Sequence, residues 1–196
     1  MITDVGSVKA PVLELWQGLH PRFVASHPMA GTAEAGVEAG QQGLFHGRPW
    51  VATPAAATDP QALADVRALA QLVGAQWLTF AAAAHDQAVA LISHLPVLVS
   101  AALLQTADRA SAAGSGDLAV LVRALASSGF ADTTRVGGGN PELGSLMARC
   151  NREALLVALA VYRQQLEALE QQVSQGDWQG LRQELDRSQE LRPQFL

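Results

Sequence analysis

The sequence contains one cysteine, little charge and few aromatic residues, and the first two of these scarcities exclude whole classes of protein. Cys150 is the single cysteine among 196 residues, so an internal disulfide framework is excluded and a reducing compartment is expected. Charged residues make up 16% of the chain and the net charge is -5, which argues against a general nucleic-acid-binding protein. The hydrophobic content of 49% predicts a folded globular chain. Together these values predict a globular protein of the cytoplasm.

Targeting and membrane signals are also scarce. The first seven residues contain neither a basic nor an apolar segment, so they do not predict a signal peptide. Residues 88–104 form the most apolar stretch, but polar residues and a proline interrupt it before it reaches the roughly 18 apolar residues of a membrane span. We expect no membrane association. The stretch predicts a buried helix, either within a soluble core or at a subunit interface.

The histidines show no metal-binding pattern. His85 and His94 are nine residues apart, half a turn out of phase on a regular helix, so they cannot chelate one ion from one helix face. The sequence has no HExxH or CxxC spacing, and no metal is expected. We interpret His94 first as a core histidine hydrogen-bonded to a neighbour. His85 with Asp86 is interpreted as a helix start with an acidic first turn.

A strand, a helix and a second strand are predicted in the first part of the chain. Residues 49–53 and 76–80 read as short buried strands. Thr58 or Asp59 caps the helix between them, and Gly74 ends it. Short links of this kind predict a parallel pair of strands with a crossover helix, which is the unit of a covered parallel sheet.

The remainder of the chain is predicted to be helical. Residues 85–107 read as one long apolar helix with a kink at Pro96, because proline cannot donate the backbone hydrogen bond. Residues 152–174 carry apolar residues at alternating steps of four and three, which predicts a helix packed against a partner helix. An α/β part, residues 1–81, is therefore expected to precede an all-α part, residues 82–196.

Two polar residues are predicted to face one crevice of the sheet. His27 follows the strand predicted at residues 23–25, and Ser7 lies in the glycine turn after the strand predicted at residues 1–3. Ligand crevices of open α/β sheets lie at the carboxyl ends of strands. A histidine, with an unperturbed pKa of about 6.5, can accept a proton near neutral pH. A serine nucleophile activated by His27 is the alternative, although no GxSxG elbow is present, and both hypotheses stay open on these residues.

Arg135 is the other candidate for a binding residue. It is predicted to lie in a polar loop between two helices, where packing gives no reason for an arginine. A guanidinium binds a carboxylate through two parallel hydrogen bonds, so an anionic small molecule is a plausible ligand. The alternative is a surface ion pair with Asp132. The three glycines at residues 137–139 are interpreted as a flexible link.

Several short strings, spread from residue 4 to residue 151, occur in the order and at the spacing of one enzyme family. The strings are DVGSVK (4–9), HPMAGT (27–32), GLF (43–45), TP (53–54), HDQAVALISHLP (85–96), GFADTTR (129–135), NPELG (140–144) and Asn151. In these strings the sequence resembles the prephenate/arogenate dehydrogenase family of tyrosine biosynthesis. Because the strings match together and in order, the resemblance is more specific than any single motif.

The resemblance implies a fold, a reaction and partners. The fold would be the later part of a Rossmann-like parallel sheet followed by a helical domain that forms a homodimer. The reaction would be the oxidative decarboxylation of a cyclohexadienyl acid, with NADP or NAD as the hydride acceptor and an aromatic product.

The resemblance also implies roles for individual residues. His27 would hydrogen-bond the ring hydroxyl of the substrate and take its proton. Ser7 would orient His27 and touch both the hydroxyl and the nicotinamide, and Arg135 would bind a substrate carboxylate. Further contacts are implied to the substrate for Thr32, Gly144 and His94, and to the cofactor for Asp4, Gly6 and Ser7.

Three positions depart from the family pattern. Val97 stands where the family often has a second histidine after HLP. Ala33 and Gly144 stand where many prephenate-using members have glutamate and tryptophan. The resulting pocket would be smaller-walled and less charged, which resembles the arogenate-using, NADP-linked members, so arogenate is the favoured substrate.

The pyrophosphate-binding loop of the family is not found. No GxGxxG occurs in the sequence, and a mononucleotide-binding half would need on the order of 80 to 100 residues before Met1. We therefore expect the first half of the nucleotide-binding domain to be missing, and the 196-residue chain to bind nicotinamide cofactor poorly and to be inactive alone. The alternative is a non-catalytic helical module that dimerises with or regulates a full-length partner.

Overall fold

The computed structural model describes residues 1–16, 18–31, 36–114 and 116–195. Contacts divide the chain into two compact units, Met1–Leu155 and Leu156–Leu196. The boundary falls within one continuous helix, Arg152–Gln175.

Short strands precede a helical remainder. Strands β1 to β5 are Ile2–Thr3, Phe23–Val24, Ser26–Pro28, Pro49–Ala52 and Gln76–Thr79. Helices α1 to α9 are Ala10–Trp16, Pro60–Leu72, Ala82–Val89, Leu95–Ala112, Leu118–Leu125, Ser128–Thr134, Pro141–Cys150, Arg152–Gln175 and Trp178–Leu191. Shorter 3-10 turns cover Val37–Ala39, Arg135–Gly138 and Arg192–Gln194, and a π-helical segment covers Ala90–His94. This order confirms the prediction of an α/β part followed by an all-α part.

The strands form two small sheets. β1 pairs with β2 in parallel, and β4 pairs with β5 in parallel, as predicted for the strand–helix–strand unit. β3 pairs with β4 antiparallel, so the sheet is mixed rather than purely parallel. Among the described residues between β3 and β4 the chain forms a 3-10 turn and no α-helix, and an antiparallel pair needs no crossover helix.

The unit β4–α2–β5 forms from local signals. The Asp59 side chain accepts a hydrogen bond from the Ala62 N–H at 2.7 Å and so caps α2. Gly74, with φ of 75°, lets the chain leave the helix in a left-handed turn. The apolar face of α2 then packs against the strands. The core consists of Val24, Ala52, Ala62 and Val66, with Leu63 and Trp77 packed against it.

Helices α3 and α4 belong to one helical stretch with a π-helical segment between them. The segment Ala90–His94 directly precedes α4, and Pro96 lies in the first turn of α4. A π-helical turn accommodates the missing N–H of a proline in the following turn. The irregularity predicted at Pro96 thus occurs in the turn before it. The stretch Ala82–Ala112 is long and apolar enough to cross a membrane by length and composition, and 22% of its most apolar window is buried inside this chain.

The segment after α6 packs tightly against α4. Arg135 begins a 3-10 turn directly after α6, so the prediction of a polar loop is wrong, since the helical path continues through this residue. Gly137 donates its N–H to the Ser100 hydroxyl at 2.8 Å. A Cβ atom on Gly137 would overlap the backbone of Ser100 and Ala101. The flexible-link interpretation is therefore wrong for Gly137, which is a position of close backbone approach.

The second unit consists of the later turns of α8, followed by α9. Gly176, with φ of 67°, ends α8, and the Asp177 side chain caps α9 by accepting from the Gly180 N–H at 2.9 Å. Large apolar side chains of this unit are exposed, namely Leu156, Val157, Val161, Leu166, Val173, Trp178, Leu185 and Leu191.

Candidate active site

The loop between β1 and α1 is tied to the start of β3. Asp4 accepts hydrogen bonds from the N–H groups of Gly6 and Ser26, both at 3.0 Å, and pairs with the Lys9 ammonium. Lys9 is the only lysine in the sequence; it is fully buried and also donates to the Ser26 carbonyl at 2.7 Å. Burial lowers the pKa of Lys9, and the Asp4 carboxylate opposes that shift. These bonds fix the loop against the sheet.

A hydrogen-bonded chain of three buried side chains runs from β3 to α3. His27 lies on β3, and its Nδ1 is 2.9 Å from Nε2 of His85. The Nδ1 of His85 is in turn 2.8 Å from Oδ1 of Asp86. His27, His85 and Asp86 are 8%, 4% and 5% exposed, so water competes little for these bonds. We refer to Asp86, His85 and His27 as the relay.

Asp86 joins three helices. Its Oδ1 accepts from the Lys9 N–H and its Oδ2 from the Ala10 N–H, both at 2.8 Å, at the start of α1. Its backbone carbonyl accepts from Nδ2 of Asn151, next to α8, at 2.7 Å. Burial alone raises the pKa of Asp86, but the hydrogen bonds from His85 and from the two N–H groups outweigh burial and lower the pKa. Asp86 is therefore ionised near neutral pH.

His94 lies next to the relay on the π-helical segment. It is 2% exposed, and its Nδ1 is 3.2 Å from Nδ2 of Asn151. Its Nε2 has no hydrogen-bond partner among the described atoms. Burial lowers the pKa of His94 and keeps the ring neutral near pH 7. The interpretation of His94 as a core histidine bonded to a neighbour is confirmed, and its contact with a substrate stays a prediction.

Arg135 lies beside the loop that follows His27. A cavity of about 480 Å³ is lined by Met29, Ala30 and Gly31 of that loop, by Arg135, and by residues 41–44 and 46 of the segment that precedes β4. Arg48 lines the same cavity. The predicted base lies two residues before the loop that lines this cavity together with the predicted carboxylate-binding residue, and the two guanidinium groups make the cavity suitable for an anionic ligand.

The other predicted site residues, Ser7, Gly144 and Thr32, lie in different parts of the chain. Ser7 is half-buried in the loop after β1, and the described partner of His27 Nδ1 is His85 rather than Ser7. Gly144 lies on α7, where a Cβ atom would be 3.7 Å from Val97 of α4. Thr32 lies outside the described residues. The roles of these residues in binding stay predictions.

Sequence analysis missed three residues of this region. His85, Asp86 and Lys9 were not assigned a role, yet all three are buried and hydrogen-bonded around His27. A usable signal was present, because adjacent ionisable residues at the start of a long apolar helix need buried partners. The partners themselves lie up to 77 residues away in sequence, so the pattern could not identify them.

The described residues contain no group of three or more His, Cys, Asp or Glu side chains that could hold a metal ion. The relay has two histidines and one aspartate, but they are arranged in a hydrogen-bonded line. Each inner nitrogen faces another side chain, so the geometry suits proton positioning.

We expect the free energy of unfolding to fall with decreasing pH, beginning at pH values well above those at which carboxylates usually titrate. Burial is the largest cause that lowers the pKa of His27, to about 3, and the charge of Lys9 lowers it in the same direction, whereas an unfolded histidine titrates near pH 6.5. The unfolded state therefore binds more protons between these values, so the stabilisation is complete above about pH 6.5 and declines as the pH falls. Each such histidine contributes a slope of about 1.4 kcal/mol per pH unit.

Urea unfolding at pH steps between 7.5 and 4.5 measures this slope, and His27→Asn is expected to reduce it. His20→Asn is the control, because an asparagine there keeps an acceptor for the Arg22 N–H. An unfolding free energy that stays constant between pH 7 and pH 5 would contradict the prediction.

The sequence matches the family model described as "Prephenate dehydrogenase, nucleotide-binding domain" over residues 1–79. It matches the model described as "Prephenate dehydrogenase, dimerization domain" over residues 81–187. A prephenate dehydrogenase of Bacillus subtilis is 30% identical over 184 residues, which are 92% of this chain and 48% of that protein. The chain thus spans about half the length of that relative.

Two solved structures share the fold along the whole chain. An arogenate dehydrogenase of Synechocystis superposes with a TM-score of 0.82 at 45% identity, and the match covers 100% of this chain and 69% of that one. A prephenate dehydrogenase of A. aeolicus, solved with hydroxyphenyl propionate and NAD+, superposes with a TM-score of 0.89 at 27% identity, covering 100% of this chain and 67% of that one.

Proposed function

The chain belongs to the prephenate dehydrogenase family, and from this premise we propose that it carries the acid–base and substrate-binding residues of an arogenate or prephenate dehydrogenase. The reaction is the oxidative decarboxylation of a cyclohexadienyl acid in tyrosine biosynthesis. The single observation that carries the proposal is the position of His27, a neutral buried histidine two residues before the loop that lines a cavity together with Arg135.

The reaction needs a proton acceptor and an anion-binding group. His27 takes the hydroxyl proton as a hydride leaves the hydroxyl-bearing ring carbon, for which bound NAD or NADP would be the acceptor. The ring carboxylate then leaves as carbon dioxide, the electrons of the broken carbon–carbon bond make the ring aromatic, and the phenolate oxygen takes the proton back from His27. Arg135 binds a carboxylate of the substrate, and Thr32 and His94 complete the substrate contacts. A low pKa keeps His27 unprotonated before the reaction begins.

The residues of the β1–α1 loop fit the nicotinamide end of a cofactor. A Cβ atom on Gly6 would be 3.1 Å from Oδ2 of Asp4, so glycine keeps this loop tight and its backbone accessible. Gly6 and Ser7 would hold the nicotinamide, and Asp4 shapes the loop, since its carboxylate already has three internal partners. Bound NAD or NADP supplies the hydride acceptor. The sequence contains no GxGxxG, so we propose that these 196 residues alone bind the dinucleotide weakly and show no turnover.

Arogenate is the proposed substrate. Gly144 and Val97, two of the positions that depart from the family pattern, face each other across α7 and α4. Both are small and apolar, so a substrate that contacts them would meet no charge and little bulk. The 45% identity to an arogenate dehydrogenase supports the same choice.

We also propose that the protein is a cytoplasmic homodimer. The matched family model for residues 81–187 is a dimerization domain. Helices in this range expose large apolar side chains, among them Leu91 and Ile92 at 53% and 59%. A second copy would cover this surface and explain an apolar helix that is little buried in one chain. In this proposal residues 1–81 form the nucleotide-binding part and residues 82–196 the helical part.

A fusion tests the function. The part of the Synechocystis enzyme that this chain does not cover is joined to the chain, and reduction of NAD+ and NADP+ is followed with arogenate and with prephenate. We expect turnover by the fusion, with kcat/KM about tenfold higher for arogenate, which corresponds to about 1.4 kcal/mol. We expect none by the unfused chain.

The rival function is a non-catalytic helical module that dimerises with or regulates a related enzyme. The exposed apolar helices favour it as the second candidate. A fusion that folds and dimerises but converts neither substrate would favour this module over the dehydrogenase.

A further inference from the structure

We propose that His85 and Asp86 are positioning residues that fix the tautomer of His27, so that His27 carries its proton on Nδ1 and presents an unprotonated Nε2 to the substrate. The inference rests on the proposed function only in taking His27 as the proton acceptor.

The buried end of the relay is Asp86, whose two oxygens both accept hydrogen bonds. Its two oxygens face the backbone N–H groups of Lys9 and Ala10, and a backbone N–H can only donate. Both oxygens are therefore acceptors, and the carboxylate is ionised. The nitrogen that faces Oδ1 at 2.8 Å is Nδ1 of His85, so this nitrogen must carry the hydrogen of the bond.

The second step concerns the proton count on His85. The proposed tautomer of His27 requires His85 to carry a single hydrogen, on the Nδ1 that donates to Asp86. In a neutral imidazole with its hydrogen on Nδ1, the Nε2 is an acceptor. The partner of that Nε2, at 2.9 Å, is Nδ1 of His27.

The third step concerns His27. Its Nδ1 must donate to His85, and since its ring is neutral, its Nε2 has a free lone pair. The opposite tautomer would place the hydrogen on Nε2 and leave no basic nitrogen for a substrate hydroxyl. The relay thus makes His27 a proton acceptor in advance, as the buried aspartate does for the histidine of a serine protease.

The test reads the tautomer directly and needs neither substrate nor cofactor. The full chain is labelled with 15N-histidine. NMR spectra that correlate the ring carbon-bound hydrogens with the ring nitrogens over two bonds then distinguish protonated from unprotonated nitrogens. We expect a protonated Nδ1 and an unprotonated Nε2 on His27, with a 15N–15N coupling across the hydrogen bond to His85. A hydrogen on Nε2 of His27, or no coupling to His85, would overturn the proposal.

Two variants distinguish a specific effect of His85 on the tautomer of His27 from a general loss of packing around β3. His85→Phe keeps a buried ring but removes the acceptor, and we expect the Nδ1–H tautomer of His27 to lose about tenfold in population, the ratio for one net hydrogen bond. Trp50→Phe is the matched control, since it removes a buried hydrogen bond to Ser26, at 3.0 Å, beside the same strand. An unchanged tautomer in His85→Phe, or an equal change in Trp50→Phe, would overturn the role of His85. If His85→Phe does not fold, the coupling in the unsubstituted protein decides.

The outcome is independent of the proposed function. A fixed Nδ1–H tautomer in a protein whose fusion shows no turnover would leave the relay intact and refute the dehydrogenase. Turnover by a fusion in which His27 has the opposite tautomer would support the dehydrogenase and refute the proposed role of the relay.

Discussion

Replacing His27 with asparagine in the fusion is expected to lower kcat by about 10²- to 10⁴-fold, the usual contribution of a positioned base. Asparagine is close to histidine in shape and its amide N–H can still donate to His85, so the strand pairing of β3 with β4 should persist. It has no basic nitrogen, however, and the proton of the substrate hydroxyl has no acceptor. Since substrate binding relies on Arg135, KM should change by much less than kcat.

Steady-state kinetics of the fusion with arogenate measure both constants. His20→Asn is the control, because it makes the same chemical change at the turn before β2, where it keeps the acceptor for Arg22. Equal kcat values for the His27 variant and the unsubstituted fusion would remove His27 from the mechanism. A rise in KM with unchanged kcat would assign it to binding instead.

Gly137→Ala is expected to be the most destabilising single-methyl change in the chain, by at least about 1–3 kcal/mol, the range for overpacking. The new Cβ atom would lie 2.5 Å from the Ser100 carbonyl carbon and still closer to the Ala101 nitrogen, and backbone atoms of a packed helix cannot move aside as a flexible side chain can. The 3-10 turn would have to separate from α4. Arg135, two residues earlier, would move with the turn.

Gly138→Ala is a matched control, because a Cβ atom at the next residue meets nothing within 4 Å. Its free energy of unfolding should stay within about 0.5 kcal/mol of the unsubstituted chain. Chemical unfolding of both variants measures the difference. Similar unfolding free energies for the two variants would show that the close approach of Gly137 to α4 does not contribute to the stability of the fold.

The parts of the fold that could be predicted are those that short-range chemistry specifies. The strand predicted at residues 49–53 is observed at Pro49–Ala52, and the cap at Asp59 and the positive φ at Gly74 lie where the sequence indicates. Each of these features depends on a residue and its nearest neighbours in the chain, since a carboxylate caps an N–H three residues away and glycine alone tolerates the left-handed turn freely.

The parts that could not be predicted depend on contacts between distant residues. The antiparallel pairing of β3 with β4 joins residues that are far apart in the sequence, such as His27 and Val51, so no local signal specifies it. The relay joins His27 to a residue 58 positions later, and Asp86 reads locally as an ordinary acidic residue near a helix start. Arg135 was expected in a loop because glycines follow it, whereas close packing against α4 keeps the turn helical.

The buried lysine has a practical consequence for labelling this protein. Because Lys9 is the only lysine and is fully buried against Asp4 and Ser26, an amine-directed reagent finds no side chain to modify while the fold is intact. Once the β1–α1 loop opens, one such amine becomes available. The rate at which the Lys9 adduct accumulates under native conditions therefore reports how often the loop that carries Ser7 opens.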